Sequence, residues 1–211
     1  MKRIAKQSEL NSGFSYDKIY YERQKKVVHW HDLKRWKVLV SKFKGGNIVD
    51  MGALDSLVLP FAKKKYPACN AWGIDMAAEA MMEMRRRYPD IYWQSVDVNK
   101  TLFKDDSMDY IVAGELIEHL DQPKLFLQEA FRILKPDGIL ALSTPLEEAN
   151  ELGSHDRERH LWSFSKEDMH DMIEPFGKAF SIKVLGSKFF PKYIYHPDTM
   201  CVFAKKKWST K

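Results

Sequence analysis

The sequence predicts an α/β fold with a doubly wound, mostly parallel sheet of seven strands and helices at the N-terminal end. From residue 47 onward, short apolar runs alternate with amphipathic segments, which is typical of right-handed crossovers between parallel strands. Several apolar runs stop abruptly at a glycine or an acidic residue, and in open α/β sheets ligands bind beyond such strand ends. The 211 residues are 45% hydrophobic and 30% charged, as expected for one soluble globular domain.

The N-terminal part is predicted to be an arm followed by cap helices. Residues 1–15 are polar and without periodicity, which indicates a loose arm. Between Tyr16 and Val40 the apolar side chains recur at helical intervals, so we expect one or two amphipathic helices packed across the sheet. Gly45 and Gly46 would end the second helix. We therefore assign residues 1–45 to the arm and cap helices and residues 46–211 to the sheet, within one domain.

The first half of the sheet is predicted as three strands separated by two helices. Asp55 or Ser56 can cap the first helix, which would run to about Tyr66, and Pro89-Asp90 turns the chain out of the second helix. The predicted strands are Asn47–Met51, Ala71–Ile74 and Ile91–Val96, followed by Gly52, Asp75 and Asp97 respectively; the second helix covers about Ala77–Tyr88.

The second half begins with the most informative stretch, MDYIVAGELIEHL at positions 108–120. Its apolar run from Tyr110 to Ala113 is typical of a strand buried on both faces, and Gly114 ends it just before three ionisable side chains. The remaining predicted elements are a helix over about 123–134, a turn at 135–138, a strand over 139–143, a charged loop over 146–163, a helix capped by Ser165 to about Phe176, and edge strands over 181–185 and 199–204.

Composition excludes several classes of protein. No stretch approaches the ~20 apolar residues of a transmembrane helix, and the start lacks the apolar core of a secretory signal, so we expect a cytoplasmic protein. Cys69 and Cys201 are too far apart for a metal motif and are expected to be reduced and interior. The net charge of +5 could favour an anionic partner, but it lies in short Lys/Arg runs that are typical of solvated helix faces.

Six segments, in this order and spacing, resemble the class I S-adenosylmethionine-dependent methyltransferases, in particular those with an E-x-x-E-H-L signature after the fourth strand. They are IVDMG (48–52), GID (73–75), DV (97–98), FKDDSMDYIVAGELIEHL (103–120), FLQEAFRILKPDGILALSTP (126–145) and HLWSFSKEDM (160–169). The resemblance implies a Rossmann-like fold, S-adenosylmethionine as cofactor and methyl transfer as the activity.

The resemblance also implies a cofactor site. Gly52 would let the methionine end of the cofactor approach the backbone, and Asp75 would accept hydrogen bonds from both ribose hydroxyls. Glu115 would lie beside the sulfonium, and Arg35 would reach the cofactor carboxylate, with Lys34 or Arg23 as alternatives. The full predicted cofactor-binding set is Arg35, Asp50, Gly52, Asp75, Asp97, Val98 and Glu115, with Asp97 and Val98 at the adenine.

The first loop departs from the family's D-x-G-x-G-x-G pattern. Here it reads Asp50-Met51-Gly52-Ala53-Leu54-Asp55-Ser56, so Leu54 and Ser56 replace the second and third glycines. The missing glycines argue against a nicotinamide dinucleotide, whose loop has its own glycine pattern. They also leave open a non-catalytic binding module that has lost its ligand.

The acidic and histidine cluster after the fourth strand has three interpretations. Glu115, Glu118 and His119 could hold Mg²⁺ or Mn²⁺, with His160 (or His155) completing the set, as the similar E-x-x-E-H pattern of small-RNA 2′-O-methyltransferases and ubiquinone-pathway O-methyltransferases implies. Alternatively, His119 is a general base oriented by Glu118, both being catalytic. In the third interpretation the two carboxylates only stabilise a helix start.

Two kinds of methyl acceptor follow from these patterns. An aromatic segment over residues 189–197 favours a small molecule that accepts the methyl group on oxygen or nitrogen. The basic balance and the E-x-x-E-H cluster favour RNA as the alternative acceptor. We expect a small-molecule substrate and no membrane span.

Overall fold

The computed structural model describes residues 1–3, 30–146, 160–185 and 198–207. These residues form helices and strands in the alternating order that the sequence predicts, with a short 3₁₀ turn at Ile117–His119. The elements are β1 (Lys2–Arg3), α1 (Trp30–Leu39), β2 (Asn47–Met51), α2 (Val58–Lys65), β3 (Asn70–Asp75), α3 (Ala78–Arg87), β4 (Tyr92–Ser95), β5 (Met108–Gly114), α4 (Pro123–Ile133), β6 (Leu134–Pro145), β7 (Trp162–Ser163), α5 (Lys166–Ile173), β8 (Gly177–Leu185) and β9 (Thr199–Lys206).

Seven strands form the main sheet in the order β4-β3-β2-β5-β6-β9-β8. The first five are parallel, and β9 runs antiparallel to both of its neighbours. The predicted fold class, a mostly parallel seven-stranded sheet, is therefore confirmed. The chain winds outward from β2 in one direction and from β5 in the other, so the topological switch point lies between the carboxyl ends of β2 and β5.

Two apolar layers hold the sheet, one on each face. The first is built on α1, α2 and α3, and the second on α4 and α5. On the first face the buried Tyr110 of β5 donates its hydroxyl to the carbonyl oxygen of Leu39 at 2.5 Å, which ties the end of α1 to the central strand. Because Trp36 and Leu39 are also buried, α1 crosses the sheet as its apolar periodicity predicts.

Two helix starts follow from local sequence. Ser165 accepts a hydrogen bond from the N–H of Asp168, and the Asp168 carboxylate accepts one from the N–H of Ser165, which completes the predicted cap of α5. The N-cap residue of α2 is Leu57, which makes no side-chain cap, so the predicted cap by Asp55 or Ser56 is not formed. The hydroxyl of Ser56, one residue earlier, still accepts the N–H of Val58 at 3.1 Å and so satisfies one donor at the start of this helix.

Several boundaries differ from the sequence-based expectations. Strand β8 begins at Gly177 rather than 181, because its pairing with β9 starts there. Strand β6 is bounded by Leu134 and Pro145 and so includes the predicted turn at 135–138; its pairing with β5 steps from Leu134 to Ile139 at this point, and Asp137 has a φ of 62°. Pairing with β9 then continues to Pro145. Lys2–Arg3 pairs antiparallel with β7, so the first residues of the predicted loose arm form a short strand. No local sequence pattern indicates this pairing. Residues 4–29, His155 and the aromatic segment 189–197 lie outside the described residues.

Within the described ranges every helix is too short or too polar to span a lipid bilayer. Cys69 and Cys201 are both buried free thiols, as predicted.

Candidate functional site

The switch point brings together the loop after β2 and the residue after β5. Three residues here have a positive φ, namely Gly52 at 78°, Leu54 at 34° and Glu115 at 53°. Left-handed backbone at a residue other than glycine is strained, and such residues cluster at functional sites. Leu54 stands where the family pattern has its second glycine, and the loop keeps the left-handed backbone there although a leucine occupies it.

Hydrogen bonds inside the protein hold this loop. Gly52 and Ala53 donate their N–H groups to the carbonyl oxygen of Ile74 at 2.8 and 3.0 Å. Leu54 donates to Oδ2 of Asp75 at 3.0 Å, and Ser56 donates to the Ala53 carbonyl oxygen at 2.7 Å. Phosphate-binding loops instead point such N–H groups at the ligand. A ligand can therefore come close to the backbone of this loop, but the loop N–H groups do not point outwards to bind an anion.

Gly52 is required by packing as well as by its backbone conformation. A Cβ atom at this position would lie 2.7 Å from Cδ1 of Leu116, which is far inside van der Waals contact. Leu116 follows Glu115 directly, so its side chain packs against the loop across the switch point. The two strand ends consequently fit each other only while residue 52 has no side chain.

Asp50 is the most deeply buried carboxyl of the loop, with 2% of its surface exposed. Burial raises its pKa to about 7; neighbouring Asp75 adds to the shift, whereas hydrogen bonding to Ser56 and the charge of Arg35 oppose it. Its Oδ2 atom has no hydrogen-bond partner among the described residues. Asp50 therefore lies beneath the loop and is protonated in a substantial fraction of molecules near neutral pH.

Two more carboxylates lie at the ends of the next strands. Asp75 ends β3 and accepts the N–H groups of Leu54 and Ala77, one on each oxygen, at 3.0 and 2.9 Å. Asp97 follows β4, is exposed, and accepts the backbone and side-chain N–H groups of Asn99 on a single oxygen. Each carboxylate oxygen has two lone pairs, so both groups keep capacity to accept from a ligand.

A charged pair lies on the α1 side of the switch point. Arg35 contacts Asp32 at 2.9 Å and faces Oε2 of Glu115 at 3.8 Å. The other oxygen of Glu115 accepts the hydroxyl of Ser143 at 2.8 Å. Arg35 and Glu115 are both half-buried, so a positive and a negative group are presented side by side next to the loop.

Glu118, His119 and His160 form a second cluster, in which one potential ligand atom of each residue lies within 4.8 Å of the others. The N–H of Leu161 donates to the carbonyl oxygen of Glu118 at 2.8 Å, and this contact brings His160 beside the 3₁₀ turn. The two imidazole rings meet edge to face at 4.8 Å. Nε2 of His119 lies 3.9 Å from Oε1 of Glu118.

Glu118 is completely buried, and neither of its carboxylate oxygens makes a hydrogen bond of good geometry among the described residues. Burial, with a smaller contribution from nearby Glu115, raises the pKa of Glu118 well above its usual value, and the buried hydroxyl of Thr144 and the charge of Arg35 act against this shift. A buried carboxyl in this state can be stabilised by a proton or by a bound cation.

The predicted site residues therefore separate into two groups. Arg35, Asp50, Gly52, Asp75 and Glu115 converge on the switch point, while Asp97 lies at its rim and Val98 is buried beside it. Glu118, His119 and His160 form the second cluster; Glu115, predicted as a further metal ligand, lies outside it because its carboxylate is turned to Ser143 and Arg35.

Sequence reasoning missed the contributions of Asp32, Leu116, Ser143 and Thr144. Ser143 and Thr144 come at the carboxyl end of β6, where the apolar run ILAL stops, and β6 neighbours β5. The change from apolar to hydroxyl side chains at a strand end is the signal that could have identified them.

Residues 49–142 match a protein family described as "Methyltransferase domain". The chain is 27% identical over 124 residues to a ubiquinone/menaquinone biosynthesis C-methyltransferase of Desulfotalea psychrophila, covering 56% of this chain and 50% of that protein. It is 32% identical over 82 residues to a ubiquinone biosynthesis O-methyltransferase of Actinobacillus pleuropneumoniae, covering 34% of this chain and 35% of that protein. The matched stretches thus span half or less of these relatives.

Solved structures share the fold. A putative methyltransferase in complex with the Trm112 methyltransferase activator of Haloferax volcanii superimposes with a TM-score of 0.76 at 17% identity, covering 97% of this chain and 100% of that chain. A SAM-dependent methyltransferase from Aquifex aeolicus gives 0.72 at 18% identity, with coverages of 90% and 98%. The [4+2]-cyclase SpnF gives 0.68 at 15% identity, with coverages of 83% and 80%. One fold thus serves different reactions.

The family match, the names of the relatives and the superpositions agree: residues 49–142 are similar to a methyltransferase domain, and the described part of the chain has the fold of the solved SAM-dependent methyltransferase structure.

Proposed function

We propose that the protein binds S-adenosylmethionine at the switch point and transfers its methyl group to an oxygen or nitrogen of a small-molecule acceptor. The observation that carries this proposal is the set of carboxylates at neighbouring strand ends, beside a loop whose N–H groups are already used. Asp75, Asp97 and Glu115 lie around the loop that begins at Gly52. Such a site attracts a cationic ligand rich in donors and disfavours phosphate groups.

Each part of the cofactor has a partner in this arrangement. The ribose hydroxyls can donate to Asp75, and the adenine amino group can donate to Asp97 beside Val98. The methionine end would pass Gly52, where a side chain is absent, and reach the pair formed by Arg35 and Glu115. Arg35 suits the cofactor carboxylate, and Glu115 suits the ammonium group and the nearby sulfonium.

In this reaction the protein has two main tasks: it aligns the acceptor with the methyl group of the cofactor, and it removes one proton. The acceptor atom attacks the methyl carbon while the carbon–sulfur bond breaks, so S-adenosylhomocysteine leaves as a neutral thioether. A hydroxyl acceptor must lose its proton, and we assign this role to His119, whose imidazole ends the 3₁₀ turn that follows β5. Glu118, 3.9 Å away, would orient that ring.

A small acceptor fits the relatives better than RNA does. The matched proteins include ubiquinone-pathway C- and O-methyltransferases and a trans-aconitate 2-methyltransferase of Azoarcus, which covers 46% of this chain at 26% identity. Their names refer to ubiquinone or menaquinone biosynthesis and to trans-aconitate, which are small molecules. The basic net charge and the E-x-x-E-H cluster support RNA as the alternative.

A divalent cation at Glu118, His119 and His160 is a second candidate for acceptor activation. The three ligand atoms are close enough for one ion, and the carboxylate oxygens of Glu118 are buried without a hydrogen-bond partner among the described residues. With Glu115 turned away, the set has two imidazoles and one carboxylate, which suits a transition metal better than Mg²⁺. Such an ion would hold the acceptor oxygen and favour loss of its proton.

Calorimetric titration with S-adenosylmethionine and S-adenosylhomocysteine tests the cofactor assignment. We expect both to bind the wild-type protein and binding to be lost in Asp75→Ala, with Asp171→Ala, an exposed residue of α5, as the control. Absence of binding to the wild-type protein would contradict the proposal. Methyl transfer from labelled cofactor to a panel of phenols, carboxylic acids and short RNAs, each with and without EDTA, then separates the acceptor classes and the metal requirement.

A further inference from the structure

Ser143 is a buried hydroxyl residue that neither the sequence patterns nor the cofactor assignment explains. It lies near the end of β6, is 0% exposed, and stands opposite Gly114 in the pairing of β6 with β5. A serine in the interior of a parallel sheet is disfavoured unless its hydroxyl is satisfied. The partner of this hydroxyl therefore indicates what the residue does.

Ser143 makes three hydrogen bonds with one residue, Glu115. Its hydroxyl donates to Oε1 of Glu115 at 2.8 Å and accepts the N–H of Glu115 at 3.2 Å. Its carbonyl oxygen accepts the same N–H at 2.9 Å. Backbone and side chain of Glu115 are consequently held from a single position on the neighbouring strand.

Glu115 needs such support for two reasons. Its φ of 53° is unfavourable for a residue with a side chain, so the local backbone must be stabilised by its surroundings. Its carboxylate also lies beside the guanidinium of Arg35, with 3.8 Å between Oε2 and the nearest nitrogen. A free rotamer could shorten this ion pair to hydrogen-bond distance, which would tie the two groups to each other in place of a ligand.

The Ser143 hydrogen bond opposes this shortening. With Oε1 bound to Ser143, Oε2 of Glu115 stays 3.8 Å from Arg35, which also pairs with Asp32 at 2.9 Å. A cation and an anion fixed side by side match the carboxylate and ammonium of an α-amino acid. The match with the ligand therefore depends on where the Glu115 carboxylate is held, and not only on residue 115 being a glutamate.

We propose that Ser143 is a positioning residue that holds Glu115 for the amino-acid end of the cofactor. The proposal rests on the proposed function, since it assumes S-adenosylmethionine as the ligand. It makes Ser143 important for ligands that carry the methionine zwitterion and unimportant for those that lack it.

Two nucleosides separate these cases. S-adenosylhomocysteine contains the amino-acid end, whereas 5′-methylthioadenosine has the same adenosine and sulfur but no carboxylate or ammonium. In calorimetric titrations we expect Ser143→Ala to weaken binding of S-adenosylhomocysteine about tenfold, the effect of losing one hydrogen bond to a charged group. Binding of 5′-methylthioadenosine should change less than twofold. Ser143→Cys, closer in size to serine but with a weak donor, should show the same selectivity and guards against a packing defect in the alanine variant.

A double-mutant cycle tests whether Ser143 acts through Glu115. In a Glu115→Ala background, which removes the acceptor of the Ser143 hydroxyl, Ser143→Ala should have little further effect on the affinity for S-adenosylhomocysteine. Equal weakening of both nucleosides, or no weakening of either, would overturn the positioning role while leaving the cofactor assignment intact. A wild-type protein that binds neither nucleoside would overturn the proposed function and the role of Ser143 together.

Discussion

Replacement of Asp50 by asparagine should change how the stability of the protein depends on pH. The carboxyl is buried beneath the loop, and burial raises its pKa to about 7 from the ordinary value of 3.8. Between these two values the folded state keeps a proton that the unfolded state has lost. Stability from this group is therefore greatest at low pH, declines as the pH rises from about 4 to about 7, and stays reduced above that.

The size of the effect follows from the two pKa values. Their difference of about three units corresponds to about 4 kcal/mol of unfolding free energy lost across the window, at 1.36 kcal/mol per unit. Asparagine resembles the protonated acid in size and in having both a donor and an acceptor, but it never ionises. Asp50→Asn should thus match the wild type near pH 4 and be more stable by up to about 4 kcal/mol at pH 8.

Urea unfolding followed by circular dichroism, at pH values from 4 to 8 without cofactor, measures this difference directly. Asp171→Asn removes an exposed carboxylate on α5 and is the matched control for the loss of one charge. If the Asp50→Asn difference stayed flat with pH, or grew as the pH fell, the argument from burial would be refuted. Other titrating groups are common to the variant and the wild type, so their contributions to the pH dependence cancel in the difference between the two stabilities.

Three further substitutions test other parts of the structure. Gly52→Ala should lower the free energy of unfolding in urea by about 2 kcal/mol, because residue 52 has a positive φ and a Cβ there would clash with Leu116. Adding Leu116→Ala should recover only the part of this loss that comes from the clash. A Gly52→Ala variant as stable as the wild type would contradict the packing described. Tyr110→Phe should cost about 1–2 kcal/mol in the same assay, since the buried carbonyl of Leu39 loses its donor, and no loss would show that this bond is unimportant. His119→Ala should lower the methylation rate by about 10²–10⁴-fold while the affinity for S-adenosylhomocysteine stays near that of the wild type; an unchanged rate would exclude His119 as the base.

The sequence by itself determined the fold class and the position of the loop after β2. Hydrophobic periodicity and strand-ending residues such as Gly52 and Asp75 are local properties, because burial of a strand and the turn after it are encoded within a few neighbouring residues. The capping residues Ser165 and Asp168 were likewise readable, since a helix start is satisfied by side chains three residues apart. These features did not depend on which strands become neighbours.

Tertiary structure alone decided which functional side chains meet. Glu115 and Glu118 are three residues apart, yet one turns to Ser143 and Arg35 while the other is buried beside His160, because the left-handed backbone at Glu115 separates their directions. Ser143 is 28 residues from Glu115 along the chain and reaches it only through the pairing of β6 with β5. Such contacts depend on sheet order and register, which are set by packing of the whole chain rather than by any local pattern.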